Sequence, residues 1–210
     1  AGVETLADER LPALAEGVVR EGAIGLHAAP MFHLADIVML NGLWAVGATH
    51  VTLPSFTPLG VAQTIERERI DTSVLVPTMI QALVDHTEAM RHDVTCLRTL
   101  LYGGSPISEA LLERVKRALP QLDLFQTYGM TEMSPLMTML PPSLHSGLGR
   151  ARGKVRSAGR ACLCNQIRIV DATGHELPRG EVGEIAVRGP GVMLGYWNRP
   201  RHASRAIEVD

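Results

Sequence analysis

Through the first two thirds of the chain, short apolar runs alternate with segments whose apolar residues recur every three or four positions. Residues 23–29 (AIGLHAA) have strand character and stop at Pro30, which has no N–H for a ladder. Residues 34–46 are apolar almost all round, the pattern of a buried helix. Residues 49–53 (THVTL) read as a second strand. Thr57-Pro58 then supplies an N-cap and a proline at the first helical position. Val61, Ala62 and Ile65 follow at core spacing, with the stem of Arg69 expected along the same face. Residues 72–76 predict a third strand, and Pro77 opens a helix that turns Met79, Ile80, Leu83 and Val84 inward. The cycle repeats with a strand at 98–102, a helix capped by Ser108 and closed by Pro120, and a strand at 122–128.

Such alternation implies right-handed crossovers and an α/β fold, a mostly parallel sheet with helices on both faces. The texture changes after Pro141-Pro142. Residues 143–160 read as a loop carrying Arg150, Arg152, Lys154, Arg156 and Arg160 without one acid. Beyond it, 166–170 and 184–188 are short alternating strands separated by turn-rich DATGHELPRGEVG, which is antiparallel grammar. The expected organisation is a partial α/β subdomain over 1–142, followed over 143–210 by part of a small antiparallel β-barrel-like subdomain.

Composition narrows the function classes. With 210 residues, 46% hydrophobic and 20% charged, the chain is neither disordered, collagen-like nor a disulfide scaffold. Twenty basic against 22 acidic residues leave a net charge of −2, so no nucleic-acid partner is expected. No apolar run approaches the roughly 20 residues of a membrane span. Sparse cysteines (Cys96, Cys162, Cys164) suit a reducing compartment, and a cytoplasmic protein is the expectation. Lys116 and Lys154 are the only lysines. Starting at Ala1 and stopping at Asp210 after an apolar-acidic stretch, the chain reads as a piece of something longer.

In a parallel sheet, ligands bind at the carboxyl ends of the strands. Two loops there are candidates. Gly103-Gly104-Ser105-Pro106 lets a flat ligand approach the backbone and offers N–H groups to an anion; it is equally a plain glycine turn. Tyr128-Gly129-Met130-Thr131-Glu132 joins an aromatic face to a hydroxyl and a carboxylate, a pair suited to phosphate and Mg²⁺. The same pattern also describes a threonine N-cap with an acid in the first turn.

These two loops, Pro30-Met31-Phe32-His33 upstream, and Gly183-Glu184-Ile185, Gly189-Pro190, Val192-Met193, Gly195-Tyr196 and Asn198-Arg199-Pro200 downstream stand in order from about Leu26 to Pro200. Together they resemble the adenylate-forming (AMP-binding) superfamily, and within it fatty-acid and related acyl-CoA synthetases. The resemblance implies two half-reactions. A carboxylic acid attacks the α-phosphate of ATP to give an acyl adenylate and pyrophosphate; the thiol of coenzyme A then takes the acyl group. It also implies that Thr131 contacts phosphate and Glu132 holds Mg²⁺. Tyr128 would pack on adenine beside Gly129 and Met130, with Gly103, Gly104 and Ser105 lining the adenine and acyl pocket wall. The implied partners are a small carboxylic acid, ATP and coenzyme A; a homo-oligomer stays open.

His33 stands where amino-acid-activating relatives carry an aspartate, so the resemblance is to the acyl or aryl ligase pattern, in which this segment gates the carboxylate pocket. The bland alternative is a histidine capping the 34–46 helix. Met130, Met133, Met137 and Met139 suit either a deformable acyl wall or ordinary core. Cys162-x-Cys164 with His175 matches no standard zinc spacing. The arginine loop at 150–160 fits a solvated face, with coenzyme A phosphates or RNA as alternatives.

The family's lysine-bearing phosphate loop is expected before Ala1, its ribose-binding aspartate motif after Asp210, and its adenylation lysine in a further C-terminal domain. Neither Lys116 nor Lys154 sits in a comparable motif, so these 210 residues alone are expected to be inactive in ATP–pyrophosphate exchange. Two tryptophans, three tyrosines and three phenylalanines furnish a stacked aryl clamp poorly, which favours a fatty acid over an aryl acid. A non-catalytic nucleotide-binding module and an aryl-acid–CoA ligase are the alternatives. A nicotinamide dehydrogenase is set aside, because residues 26–30 (LHAAP) hold no Gly-x-Gly-x-x-Gly.

Overall fold

In the computed structural model, which describes residues 18–162 and 165–207, the expected alternation is present. It runs β1 (Ile24–His27), α1 (Leu34–Ala45), β2 (Thr49–Thr52), α2 (Pro58–Glu68), β3 (Thr72–Val74), α3 (Pro77–Asp85), β4 (Thr99–Tyr102), α4 (Glu109–Ala118) and β5 (Asp123–Gly129). Then follow β6 (Leu136–Leu140), α5 (Gly147–Ala151), β7 (Arg160–Ala161), β8 (Gln166–Val170), β9 (Glu184–Arg188) and α6 (Pro200–Ala206). Cys164, Ala1 and Asp210 lie outside the described residues.

Seven strands form one sheet in the order β2-β1-β3-β4-β5-β6-β7, and β8 pairs with β9 in a separate antiparallel pair. The first five strands are parallel; β6 runs antiparallel to β5, and β7 antiparallel to β6. Successive strand residues face opposite sides, so each central strand feeds two cores. On one face Leu26, Leu100, Tyr102 and Leu124 pack with Ile65, Ile80, Leu83, Leu112 and Val115 of α2, α3 and α4. On the other, Val74, Leu101 and Phe125 meet Met39 and Leu43 of α1. Helices therefore cover both faces.

Local signals explain the element ends. Thr57 and Ser108 cap α2 and α4, accepting from the N–H groups of Gly60 (3.1 Å) and Leu111 (3.2 Å). Helix α1 crosses β1 so closely that a Cβ on Gly25 would overlap the Leu43 side chain. That helix buries only Asp36, Met39 and Leu43 fully, and Trp44 is exposed, so the all-round apolar pattern overstated its burial.

Three further expectations are corrected. Arg69 does not lie along the α2 face: it ends the helix at φ 55° and turns its guanidinium to Asp93 at 3.0 Å. Residues 143–160 are not simply a loop, since a 3₁₀ turn (Pro142–His145) and α5 occupy much of them. Strand β6 was not anticipated. It returns along β5 after a short turn, and its edge receives β7.

The 3₁₀ turn is fastened from below. The buried Tyr102 hydroxyl lies 2.8 Å from His145 Nε2 and 3.1 Å from Gln126 Oε1. His145 Nδ1 sits 3.0 Å from the Pro141 carbonyl, and Lys116 donates to the carbonyl of His145. Because Nδ1 faces a carbonyl it carries the proton, which leaves Nε2 to accept from Tyr102. Burial without an acidic partner pushes the Tyr102 hydroxyl up and holds His145 down at about 4.

Candidate functional site

Parallel pairing of β4 with β5 sets Tyr102 beside Gln126, so the chain leaves both strands at one edge of the sheet. There Thr127 Oγ1 donates to the Tyr102 carbonyl at 3.2 Å. A Cβ on Gly103 would stand 2.5 Å from Thr127 Oγ1 and 2.6 Å from its carbonyl oxygen, so only glycine fits. Gly104 takes φ 77°, the left-handed turn that glycine adopts without cost. The Gly103–Gly104–Ser105 turn is thereby pressed against the start of the Tyr128–Glu132 segment. Two loops separated in sequence share one rim, as the strand order requires.

The Tyr128–Glu132 segment ends β5 in a tight return. Gly129 has Pro135 so near that a Cβ would overlap the Pro135 carbonyl, and the Met130 N–H donates to that oxygen at 3.1 Å. Residues Thr131–Met133 then form a 3₁₀ turn, closed by Ser134 at φ 54°. Tyr128 and Met130 are exposed, as is Thr131, whose hydroxyl makes no hydrogen bond among the described residues. Aromatic face, hydroxyl and carboxylate thus stand together on an open shelf.

Glu132 is held by a segment that the sequence reading did not place in the site. Tyr196 donates its hydroxyl to Glu132 Oε1 at 2.7 Å, and the Met193 N–H donates to the Glu132 carbonyl at 2.8 Å. Ser134 Oγ donates to the Gly191 carbonyl at 2.9 Å. The Tyr196 hydrogen bond keeps the Glu132 carboxyl below its ordinary range, and Glu132 in turn raises the Tyr196 phenol. Gly195-Tyr196 belonged to the downstream motif, but nothing in the one-dimensional pattern showed which carboxylate the phenol would meet.

His33 caps α1, its Nδ1 accepting from the Ala35 N–H at 3.3 Å, and it is exposed. It lies after β1, which β3 separates from β4, and no hydrogen bond joins it to the rim loops. Met133 and Met137 are core with Ile167, Val187 and Val192, and Met139 packs toward Phe125, so of the four methionines Met130 alone is exposed as a wall. A cavity of about 340 Å³ lined by Arg152, Lys154, Ser157 and Arg160 lies beside β6 and includes none of the rim residues.

A divalent cation can be tested against this donor set. Among the described residues no three His, Cys, Asp or Glu side chains gather into a metal cage. Glu132 presents one carboxylate, held through Oε1 by Tyr196, and Thr131 next to it in sequence carries a hydroxyl. That fits Mg²⁺, which keeps several waters and is bound by one or two carboxylates together with phosphate oxygens.

With this geometry in place, comparison with known proteins gives a consistent picture. The family model described as AMP-binding enzyme matches residues 8–197. A feruloyl-CoA synthase from Amycolatopsis sp is 36% identical over 184 residues, covering 87% of this chain and 36% of that protein. A medium/long-chain-fatty-acid–CoA ligase from Mycobacterium tuberculosis is 35% identical over 163 residues, covering 77% of this chain and 27% of the relative. The structure of O-succinylbenzoate coenzyme A synthetase from Bacillus subtilis, in complex with ATP and magnesium ion, superposes with a TM-score of 0.76 at 29% identity. It covers 89% of this chain and 37% of that one. The chain spans about a third of the length of the curated relatives it matches.

Proposed function

The chain belongs to the AMP-binding enzyme family, and on that premise we propose that it forms the central part of an ATP-dependent acid–thiol ligase, which activates a carboxylic acid and passes it to coenzyme A. The observation that carries this reading is the shared rim of the Gly103–Ser105 turn and the Tyr128–Glu132 segment, with Glu132 braced by Tyr196.

In the first half-reaction a carboxylate oxygen attacks the α-phosphorus of ATP. The new P–O bond forms as the bond to the β-phosphate breaks and pyrophosphate leaves. In the second, the sulfur of coenzyme A attacks the acyl carbon, AMP departs with the bonding pair, and the thiol proton goes to solvent. Tyr128 covers the adenine, while Gly103 and Gly104 let the purine lie against bare backbone. Ser105, Gly129 and Met130 complete the wall. The Thr131 hydroxyl donates to a phosphate oxygen, and Glu132 is the metal ligand. Mg²⁺ supplies charge neutralisation on the phosphates. His33 and Phe32 gate the acid from the loop after β1. Positioning and charge account for most of such chemistry, which is what these groups offer.

For the acid we propose an aliphatic chain, as named for the mycobacterial relative. Support comes from the exposed, flexible Met130 and from the scarcity of aromatic side chains for a stacked clamp. A second reading, an aryl acid, is favoured by the feruloyl-CoA synthase match. The test is acid-dependent ATP–pyrophosphate exchange by the full-length protein, run with saturated acids of graded length and with hydroxycinnamates. Exchange that peaks with one saturated acid supports the first reading, and a hydroxycinnamate optimum the second. Nucleotide binding without exchange for any acid would mark a non-catalytic binding module.

A further inference from the structure

Behind the segment that carries Phe32 and His33 runs a chain of three polar side chains, His27 and Asp36 buried and His50 partly so. His27 Nδ1 is 2.8 Å from Asp36 Oδ2, and both side chains are wholly inaccessible. His27 Nε2 is 2.9 Å from His50 Nδ1, and the two rings stack with centroids 5.2 Å apart. Trp44 closes the outer side, its ring edge-on to His50 at 6.3 Å. Asp36 Oδ1 and His50 Nε2 are buried with no hydrogen-bond partner.

A buried carboxylate is costly unless a donor compensates it, and an apolar residue would pack there more cheaply. Its placement points to a task. His27 is the last residue of β1, a strand paired on both sides and hence rigid. Asp36 stands in the first turn of α1. Their bond closes the excursion between them, residues 28–35. Above it Met31, Phe32 and His33 are all exposed, Phe32 to 87%, so the tip of the loop buries none of its side chains in the core. The tether beneath supplies the anchor. The other contact fixes the ring's orientation: one ring nitrogen faces the carboxylate and the other faces His50, so the imidazole is held from both sides.

We propose that Asp36–His27–His50 is a positioning network for the 28–33 loop, and that it governs affinity for the carboxylic acid rather than for the nucleotide. The proposal rests on the acid-ligase reading above, in which Phe32 and His33 face the acid. These three side chains touch no reacting atom. They act through the loop, and β3 and β4 separate them from the Tyr128–Glu132 segment.

The experiment uses the full-length protein and exploits the two ring nitrogens. In His27→Asn the amide nitrogen replaces Nδ1, keeping the Asp36 contact and losing His50. His27→Gln reaches toward His50 and loses Asp36. With the acid that supports most exchange, His27→Gln and Asp36→Ala are expected to raise KM for the acid about tenfold while KM for ATP stays within about twofold; His27→Asn stays within about threefold for both. Amide hydrogen exchange of 28–33 should quicken about tenfold in the first two variants and not in His27→Asn. If those two variants fold poorly, His50→Phe keeps the stacking but removes the contact to His27 Nε2, and it should raise KM for the acid about threefold. Acid and ATP constants that rise together, or loop exchange equal in all variants, would overturn the network's role. A wild-type protein with no acid-dependent turnover would overturn the ligase reading and the acid-affinity claim with it. Loop exchange would still decide whether the tether exists.

Discussion

Tyr196 and Glu132, 64 residues apart, are joined by a 2.7 Å hydrogen bond from phenol to carboxylate. The contact fixes one oxygen of the Glu132 carboxylate. It also shows how the 189–199 segment works: with Met193 and Ser134 it clips the end of β5 in place.

Removing that phenol has a predicted sign. Tyr196 holds the Glu132 carboxyl below its usual range, so Glu132 stays ionised to lower pH than an ordinary glutamate. In Tyr196→Phe the acid limb of the pH–rate profile should move to higher pH, and half-saturation by Mg²⁺ should rise about threefold. Both are read from exchange kinetics on the full-length enzyme. Superimposable profiles would detach Tyr196 from the site.

Glu132→Gln keeps the shape and removes the charge. Exchange should fall about a hundredfold or more, while the thermal midpoint shifts by no more than about 2 °C, since the side chain lies outside both main cores. Calorimetry and exchange on the same preparation check this. Loss of fold and activity together would make Glu132 structural.

At Gly103 the two loops touch. An added methyl would meet the Thr127 hydroxyl and carbonyl at 2.5 and 2.6 Å, and the carbonyl cannot swing aside. Gly103→Ala should destabilise by about 1–3 kcal/mol through forced backbone movement. It should also raise KM for ATP. Urea unfolding and steady-state kinetics measure the two effects separately.

His145 predicts how stability depends on acid. Its folded pKa, about 4, lies below the ordinary 6.5, so the unfolded chain binds the extra proton first as pH falls. The contribution is complete above 6.5 and is lost progressively toward pH 4, at about 1.4 kcal/mol per pH unit and about 3 kcal/mol in all. Urea midpoints between pH 7 and 4 should show that slope, and His145→Gln should flatten it. Equal slopes in both proteins would refute the assignment.

Much of the scaffold was legible because local signals agree with the fold: Thr57-Pro58 and Ser108 start helices where they were expected to, and short apolar runs mark β4 and β5. Strand β6 was not. Its LMTML run follows Pro135 and consists of residues with little strand preference, so its conformation is set by the free edge of β5 rather than by its own sequence. The same methionines invited reading as a ligand wall, whereas Met133 and Met137 fill the contact with Ile167. The rim loops could be located from motif and strand order. The Tyr196 brace and the His27–Asp36 tether could not, because each joins residues whose meeting depends on tertiary packing. Asp36, the one charged residue of α1, was the hint.

The most direct test of the shared rim is a crystal structure of the full-length protein with an acyl-sulfamoyl adenosine, a stable mimic of the acyl adenylate. The purine is expected between Tyr128 and the Gly103–Ser105 turn, with the sulfamoyl group beside the Thr131 hydroxyl. A nucleoside bound in the arginine-lined cavity beside β6, or anywhere away from those two loops, would contradict it.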